Sequence, residues 1–561
     1  MFVPGLLTFI DMKLSNTCFA LAFLGMMAVA PGCKDFYDVN VNPLSPTSAT
    51  LAQVLPVTQV TMAENLGDNV GGLSQYTMSL MQQLYNTRNI GNFQQTSGSF
   101  SGEWGGLYSG MLVNNELVIT QGTAEKRWDY VGIAQLQKAY VFSQIVDLWG
   151  DVPYSEALQG AVNDAPHFDK DADIYNGTGS IQGLFALIDE GIANLDKPTT
   201  GTVGAADLIY GGSPDKWKRF GRTLKLKLYN QIRKTNSNAV VQSQVTPLLS
   251  SQLMEEGGDF QIVYNSSVTP DNRNPGYAQD YSANPENRIG RYFYEGMVTL
   301  NDPRVPYYFY NQIAKGSTTT QQDYISPLDP RFVTVRPGSS GAFTSSASTA
   351  AVQTVQGLYP IGGKYDDGLG NKVSSAAGKG KASAPQRLLT YYSRKFTEAE
   401  LQLTVFNNSA AAATALEAGV RAAFKKVNVV AAADASPIIP DTASAANPAP
   451  NIRSYVTAML ARYNAAPTVE DKLEVIMYEK YVASFGYGVD VYTDFRRTHH
   501  PKIRVSSQVA NVSLGLLPDD GSTVGSGVFP RRLYYPTYDL LLNPNAPRTQ
   551  KDPSTPIFWE R

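Results

Sequence analysis

The chain has 561 residues, 17% of them charged, and a formal net charge of −3. Charged residues make up roughly 25% of an average soluble protein, and this near-neutral balance lacks the basic surface that nucleic-acid binding requires. The sequence has three histidines and no HExxH, GxSxG or phosphate-loop motif, which argues against metal catalysis, histidine-base catalysis and a bound cofactor.

Residues 12–32 are typical of a signal peptide. Lys13 supplies the positive charge, and residues 18–30, CFALAFLGMMAVA, form an apolar run within the length of about 7–15 residues that such signals use. The run is too short to span a bilayer stably. We therefore interpret residues 1–32 as a signal peptide that is removed on export, with residues 1–11 lying upstream of the true start at Met12.

Cys33 follows two small residues, Ala30 and Gly32, in the sequence VAPGC. This arrangement resembles a bacterial lipobox, so Cys33 is the expected lipidation site and first residue of a mature domain spanning residues 33–561. Acylation there would be sufficient for lasting attachment. The only other cysteine, Cys18, lies in the removed segment, which excludes an intramolecular disulfide. The alternative is an ordinary secretory signal followed by a cysteine that occurs there by chance.

Five stretches of the mature chain have apolar residues at helical spacing. They are residues 131–150, 180–197, 217–234, 451–464 and 469–495. Gly150 stands where a helix-terminating glycine is expected, and Ser180 is a candidate N-cap. Paired amphipathic helices joined by short turns predict a mainly α fold, a tetratricopeptide-like superhelix of helix pairs.

Long stretches between these helices have almost no periodicity. Residues 259–287 and 325–384 are rich in Gly, Ser, Asn, Pro and Tyr, and residues 431–450 are rich in Ala, Pro and Ser. Loops longer than about 12–15 residues in a compact protein are usually functional or disordered. The high tyrosine content favours order, so we predict an irregular, loop-rich lobe packed against the helices. Residues 335–381 have no feature to which we assign a role.

The segment LWGDVPYSEAL, residues 148–158, raises the question of an acid/base pair formed by Asp147 and Asp151. Glycoside hydrolysis requires two carboxylates about 5–9.5 Å apart. Gly150 and Pro153 interrupt any helix that would carry both. The sequence therefore favours the end of a helix followed by a turn that packs back onto the scaffold.

Five motifs in order give the chain a family resemblance. DLWGDVPYSEAL looks like a signature of the SusD/RagB family of Bacteroidetes outer-membrane lipoproteins. WKRFGRTLKLKLYNQIRK, TLNDPRVPYYF, SFGYGVDVYTDFRRT and FPRRLYYPTYDLLLN resemble later parts of the same family. The resemblance covers most of residues 33–561 and is closest to the SusD-like branch.

The resemblance implies a binding protein and no enzyme activity. Members of the family are lids over a TonB-dependent SusC-type barrel, and they capture oligosaccharide, or peptide in some members, for import. The implied fold is mainly α, with four tetratricopeptide-like helix pairs against an irregular lobe. The implied location is the outer membrane, with a lipid anchor and the protein facing the cell exterior. No metal, cofactor or nucleic acid is implied.

Ligand contacts in the family come from the segment after the first helix and from the middle irregular region. The residues that we expect to bind ligand in this chain are Tyr85, Arg88, Asn92, Phe93 and Trp104 in the first segment, and Tyr277, Tyr281 and Arg288 in the second. Each has core packing or an exposed loop as its alternative, and Trp104 has the further alternative of a buried anchor at a helix start. For the pair Arg496 and Arg497 we favour a salt bridge to an interior carboxylate over a ligand-facing or barrel-facing role.

Three other functions stay open on the sequence alone. The same scaffold could bind peptides, for which an acidic or basic clamp in an aromatic-poor pocket would be expected. A lipid-anchored glycoside hydrolase would place two carboxylates on one cleft, one of them with a raised pKa. A structural or adhesin role would leave no cleft.

Overall fold

Helices dominate the computed structural model, which describes residues 49–68, 70–86, 95–282, 285–335, 347–443, 450–502 and 529–560. Residues Leu51–Arg561 form one compact unit. The helices of its first half are α1 Leu51–Gly67, α2 Leu73–Leu80, α3 Ser101–Gly105, α4 Val113–Ala124, α5 Trp128–Trp149, α6 Asp171–Asn176, α7 Leu184–Asn194, α8 Pro214–Gln231, α9 Asn238–Leu249 and α10 Pro275–Asp280, with a π-helix over Gly106–Leu112 between α3 and α4.

The second half continues with helices that are longest near its centre. They are α11 Arg291–Thr299, α12 Val305–Tyr308, α13 Ala347–Ala350, α14 Leu358–Ile361, α15 Tyr391–Thr404, α16 Ser409–Asp434, α17 Ile452–Ala465, α18 Val469–Ala483, α19 Gly488–Thr498 and α20 Thr537–Leu542. Helix α5 packs on α4 and α7, and α15 packs on α16 and α18. The prediction of a mainly α fold is confirmed. The tetratricopeptide-like arrangement of the pairs stays a prediction.

The central helix α5 shows why the helical prediction succeeds. Nearly all its side chains are buried, and it ends at Trp149 because Gly150 adopts a φ of +86°, in the left-handed region that favours glycine. A Cβ at Gly150 would also lie 2.9 Å from the Arg532 guanidinium. The predicted helix end is confirmed, and the chain continues into the short strand Val152–Pro153.

Three helix predictions differ from the structure. The predicted stretch 469–495 is broken at residues 484–487 into α18 and α19. Ser180 is not an N-cap, because the Thr178 amide donates to the Ile181 carbonyl in a turn, and α7 begins later, after Gly183. Helix α16 runs through Asp434 and so includes the first four residues of the predicted loop 431–450. Its alanine-rich end continues the helix until Ala435, which has a φ of +59°.

Short antiparallel strand pairs occur in and around the predicted loop-rich stretches, and one pair lies outside them in residues 152–169. The strands are β1 Leu84–Asn86, β2 Val152–Pro153, β3 Phe168–Asp169, β4 Phe260–Ile262, β5 Asn287–Ile289, β6 Phe309–Tyr310, β7 Tyr324–Ile325, β8 Val333–Thr334, β9 Val355–Gln356 and β10 Gln386–Leu389. They pair as β1–β5, β2–β3, β4–β10, β6–β9 and β7–β8. Two-stranded pairs of this length are not stable alone, so packing of tyrosines and aliphatic side chains between them holds the lobe together.

A buried ion cluster joins α15 to α19. Arg497 pairs with Glu400, and both side chains are fully buried. Arg497 also bonds to Asp494 at 2.7 Å, and Arg233 reaches Glu400 at 2.8 Å. The predicted interior salt bridge is therefore confirmed for Arg497. Arg496 instead donates to the backbone carbonyls of Arg531 and Asp147, so for this residue the salt-bridge prediction was wrong.

Gly290, directly after β5, passes very close to the backbone of Gln82, which lies just before β1. A Cβ at this position would lie 1.7 Å from the Gln82 carbonyl oxygen, which is backbone and cannot swing away. We expect Gly290→Ala to lower the free energy of unfolding by about 1–3 kcal/mol, measured by chemical denaturation. Gly179→Ala is the control, because a Cβ added there would have no other atom within 4 Å. Equal stability of the two variants would contradict the close approach.

Among the described residues, no helix is both long and apolar enough to cross a membrane.

Candidate ligand-binding site

The two segments predicted to bind ligand meet in one strand pair. Strands β1 and β5 are antiparallel, and Tyr85 lies directly opposite Arg288 although about 200 residues separate them in sequence. Both side chains are 2% exposed. The Arg288 guanidinium donates to the Pro285 carbonyl at 2.6 Å, and burial lowers its pKa to about 10. The pair forms the framework that brings the two segments together.

A network of buried side-chain amides and one carboxylate holds β5 in place. The Gln75 amide donates to the Asn287 side-chain oxygen at 2.8 Å, and the Asn287 amide donates to Asp280 at 3.2 Å. Gln356 donates to the same carboxylate at 2.8 Å. Burial raises the Asp280 pKa to about 6, against the opposing effect of these hydrogen bonds. The network joins α2, α10, β5 and β9, so it fixes the position of the strand pair.

The predicted residues Tyr277 and Tyr281 stack on each other. Their ring centroids are 4.8 Å apart with an angle of 16° between the planes. The Tyr277 hydroxyl donates to the Gly380 carbonyl at 3.1 Å, and the Tyr281 hydroxyl donates to the Gln356 carbonyl at 2.9 Å. Both residues are buried. Their hydroxyl groups are therefore used in bonds that order the loop-rich lobe.

Trp104 lies in an aromatic cluster and is 3% exposed. Its ring meets Trp149 edge-on at 5.2 Å and Tyr535 at 6.1 Å, and it lies 4.8 Å from Tyr108. This cluster joins α3 and the π-helix to the end of α5 and to the C-terminal segment. The position matches the alternative of a buried anchor at a helix start.

Four of the predicted functional residues, Cys33, Arg88, Asn92 and Phe93, lie outside the described residues. The structure brings Tyr85 and Arg288 together and stacks Tyr277 on Tyr281. It places Trp104 in the separate aromatic cluster of the helical part. A direct ligand contact for each of the eight predicted binding residues stays a prediction.

The carboxylates near Gly150 are engaged in structural bonds. Asp147 is fully buried and accepts hydrogen bonds from Tyr175 at 2.7 Å and Trp559 at 2.9 Å, and burial raises its pKa to about 6. Burial also acts to raise the pKa of Asp151, but Lys551 at 2.7 Å and Lys170 at 2.9 Å lower it. Asp147 has no access to a substrate, so this pair does not form the two-carboxylate cleft of a glycosidase.

A cleft that the sequence did not reveal lies between α11, α17 and α18. It has a volume of about 410 Å³, within the range of about 300–1,000 Å³ typical of ligand pockets. Its lining includes Tyr292, Leu300, Arg462, Val475, Tyr478 and Lys502. Tyr292 belongs to the sequence RYFYEG. The aromatic residues of this sequence were the only local feature that could have indicated a binding surface. No pattern in the sequence brings it next to α18.

A family model described as "Starch-binding associating with outer membrane" matches residues 43–536. The chain belongs to this SusD-like family. The predicted family resemblance is thereby confirmed, and the family's described role is carbohydrate binding at the outer membrane. No curated protein sequence matches the chain.

Solved structures of SusD-like proteins share the fold. A SusD/RagB family protein from Bacteroides thetaiotaomicron is 21% identical, with a TM-score of 0.67 over 91% of this chain and 99% of that chain. A protein named as chitin-binding is 21% identical, with a TM-score of 0.65 over 91% and 100%. A chitin-binding SusD homolog from Flavobacterium johnsoniae is 17% identical, with a TM-score of 0.62 over 90% and 98%.

Proposed function

We propose that this SusD-like protein is a cell-surface lipoprotein that captures oligosaccharide and delivers it to a TonB-dependent SusC-type transporter. In this role it is attached to the outer membrane through Cys33, faces the cell exterior and closes the transporter as a lid. It binds its ligand and does not cleave it. The description of the matching family supports a carbohydrate ligand and a location at the outer membrane.

The observation that carries the proposal is the β1–β5 strand pair. It joins the two segments in which the family resemblance leads us to expect ligand contacts, and it holds Tyr85 opposite Arg288. The chain leaves β1 at Asn86, immediately before the segment that contains Arg88, Asn92 and Phe93. The strand pair fixes the point at which the chain enters this segment.

We infer a division of roles among the eight predicted residues. The buried side chains Tyr85, Tyr277, Tyr281 and Arg288 position the site, and buried Trp104 anchors the helical part. Arg88, Asn92 and Phe93 are the proposed direct contacts. A phenylalanine ring stacks on the apolar C–H face of a sugar, and planar arginine and asparagine side chains bond to its hydroxyl groups.

The test is calorimetry of the mature chain without its lipidated Cys33, residues 34–561, with oligosaccharides of starch and chitin, further polysaccharides and peptides. Analysis of reducing ends follows. Chitin is included because two similar structures carry that name. We expect binding of at least one glycan without new reducing ends. Phe93→Ala is expected to weaken binding about tenfold, since removing an aromatic contact costs more than about 1 kcal/mol.

The matched control is Tyr538→Ala, which removes an aromatic side chain that is 41% exposed on α20 and should leave affinity unchanged. Release of ligand fragments would contradict the proposal in favour of a hydrolase. Binding of peptides alone would assign the scaffold to peptide capture, and binding of no glycan would overturn the proposed function.

A further inference from the structure

The cleft between α11, α17 and α18 lies beyond β5, away from the predicted binding residues that the structure describes. The chain leaves β1 at Asn86, which pairs with Asn287, whereas α11 begins just beyond Ile289, which pairs with Leu84. The cleft therefore lies at the opposite end of the strand pair from the point where the chain leaves β1. None of the five predicted binding residues that the structure describes lines it.

The two carboxylates that line the cleft are both engaged by internal donors. Glu295 accepts hydrogen bonds from Tyr324, from Ser326 at 2.8 Å and from Arg291 at 3.3 Å. These bonds connect α11 to β7 and the residue that follows it. The carboxylate is therefore used to hold one wall of the cleft in place.

Glu474 is engaged in the same way on the opposite wall. It accepts hydrogen bonds from the Lys502 backbone amide at 2.8 Å and from the His500 ring at 2.7 Å. The second ring nitrogen of His500 lies 3.0 Å from Glu470. Burial acts to lower the His500 pKa, but these two carboxylates raise it. His500 therefore lies between two carboxylates, and it shares Glu474 with the backbone amide of Lys502.

The donors of the cleft, by contrast, are only partly engaged within the part of the chain that the structure describes. The Lys502 ammonium makes no ion pair there, and its side chain is exposed. Arg462 uses one guanidinium nitrogen for Glu479, at 2.9 Å, and its other two nitrogens have no acceptor in the same residues. The half-buried Tyr478 hydroxyl likewise has no hydrogen-bond partner among them. The cleft therefore offers free donors from two cationic side chains, beside two carboxylates that are already hydrogen-bonded.

The remaining walls are apolar and aromatic. Tyr292 and Tyr478 are partly exposed, and Leu300, Leu328 and Val475 line the space between them. Gly296 allows the two helices to approach, because a Cβ there would lie 3.2 Å from the Tyr478 hydroxyl oxygen. An occupant must therefore combine apolar C–H faces with several acceptor oxygens, at least one of them charged.

We propose that this cleft is a second saccharide site that binds an acidic sugar, a uronic acid whose carboxylate lies against Arg462 and Lys502 while its ring stacks on a tyrosine. A carboxylate matches the planar donor fork of arginine. The proposal rests on the proposed glycan-binding function and adds the charge class of the sugar. A carboxylate together with neighbouring hydroxyl groups would supply the acceptors for these donors.

The test compares trigalacturonic acid with its methyl ester, which has the same sugar rings without the charges. We expect calorimetry of the mature chain to show binding of the acid at least tenfold tighter than the ester. Lys502→Gln is expected to weaken binding of the acid about tenfold, the size of one hydrogen bond to a charged group, and Arg462→Gln to have an equal or larger effect. Lys216→Gln removes an exposed lysine that does not line the cleft, and it should leave affinity unchanged.

The possible outcomes distinguish the acidic-sugar site from the proposed function. Binding of neutral glycans that is unaffected by Lys502→Gln, with no preference for the acid, would overturn the acidic site and leave glycan capture standing. Lys502-dependent binding of the acidic peptide Glu-Tyr-Glu in place of the saccharide would also overturn it. The folding of Arg462→Gln is checked by its unfolding transition, and Lys502→Gln alters only an exposed side chain.

Discussion

Replacing Arg497 with methionine is expected to lower the free energy of unfolding by about 3–5 kcal/mol, because removal of one partner leaves a buried charge uncompensated. Its partner Glu400 is fully buried on α15. Arg233 and Asn230 also bond to Glu400, at 2.8 and 2.9 Å, and would compensate only part of the loss. Chemical denaturation of the mature chain measures the effect.

The matched control for Arg497→Met is Arg421→Met. Arg421 bonds to Glu417 at 2.8 Å in the same helical region, but the two side chains are 41% and 37% exposed. An exposed pair of this kind contributes about 0–1 kcal/mol. If the two substitutions had equal effects, the ion cluster between α15 and α19 would not be a determinant of stability.

The same cluster makes stability depend on acid pH. Burial alone would raise the Glu400 pKa, but Arg497 and Arg233 outweigh it and hold this pKa well below its usual range. The stabilising contribution is therefore complete above the unfolded-state pKa of about 4.3, and it is lost as pH falls towards the folded-state pKa. We expect Glu400→Gln to remove this part of the acid dependence between pH 5 and pH 3, as measured by unfolding at each pH.

The second large effect is expected for Trp104→Ala, which should cost about 3–5 kcal/mol of stability. The side chain contacts Trp149, Tyr108 and Tyr535 and is 3% exposed. Its removal leaves a cavity where α3 meets the end of α5 and the C-terminal segment. The unfolding transition should shift by this amount, and any loss of glycan binding should accompany the loss of folded protein.

Trp128→Ala is the matched control for the Trp104 experiment. Trp128 is only partly buried at the start of α5, and Lys197 lies 4.2 Å from its ring centroid. Its loss should cost much less stability. If Trp104→Ala retained normal stability and yet lost binding, Trp104 would be a ligand contact and the aromatic cluster would be part of the binding surface.

The helical scaffold could be predicted from sequence because its information is local. Helix α5 has apolar residues at helical spacing and a glycine at its end, and both features act within a few residues. Boundaries were less predictable where a turn competes with the helix. Thr178 to Ile181 form such a turn, and Ser180 therefore lies outside α7.

The burial of the predicted site residues could not be derived from local sequence. The Tyr281 hydroxyl bonds to Gln356, and the Tyr85 backbone pairs with Arg288, so each environment depends on a segment far away in the chain. A tyrosine in a glycine- and asparagine-rich stretch has the same composition whether it faces a ligand or a second loop. The cleft could not be predicted for the same reason, since α11 and α18 meet only in the folded protein.

The β1–β5 pairing also has a consequence for the order of events during biosynthesis. Closing a loop of about 200 residues costs roughly 5 kcal/mol of chain entropy, and a three-residue ladder cannot offset that cost without the surrounding core. A nascent or truncated chain that ends before residue 287 has no partner for β1. If ligand binds at this strand pair as proposed, recognition arises only late, after more than half of the polypeptide has emerged. A proteolytic fragment of the N-terminal half would then not compete for ligand with the intact protein.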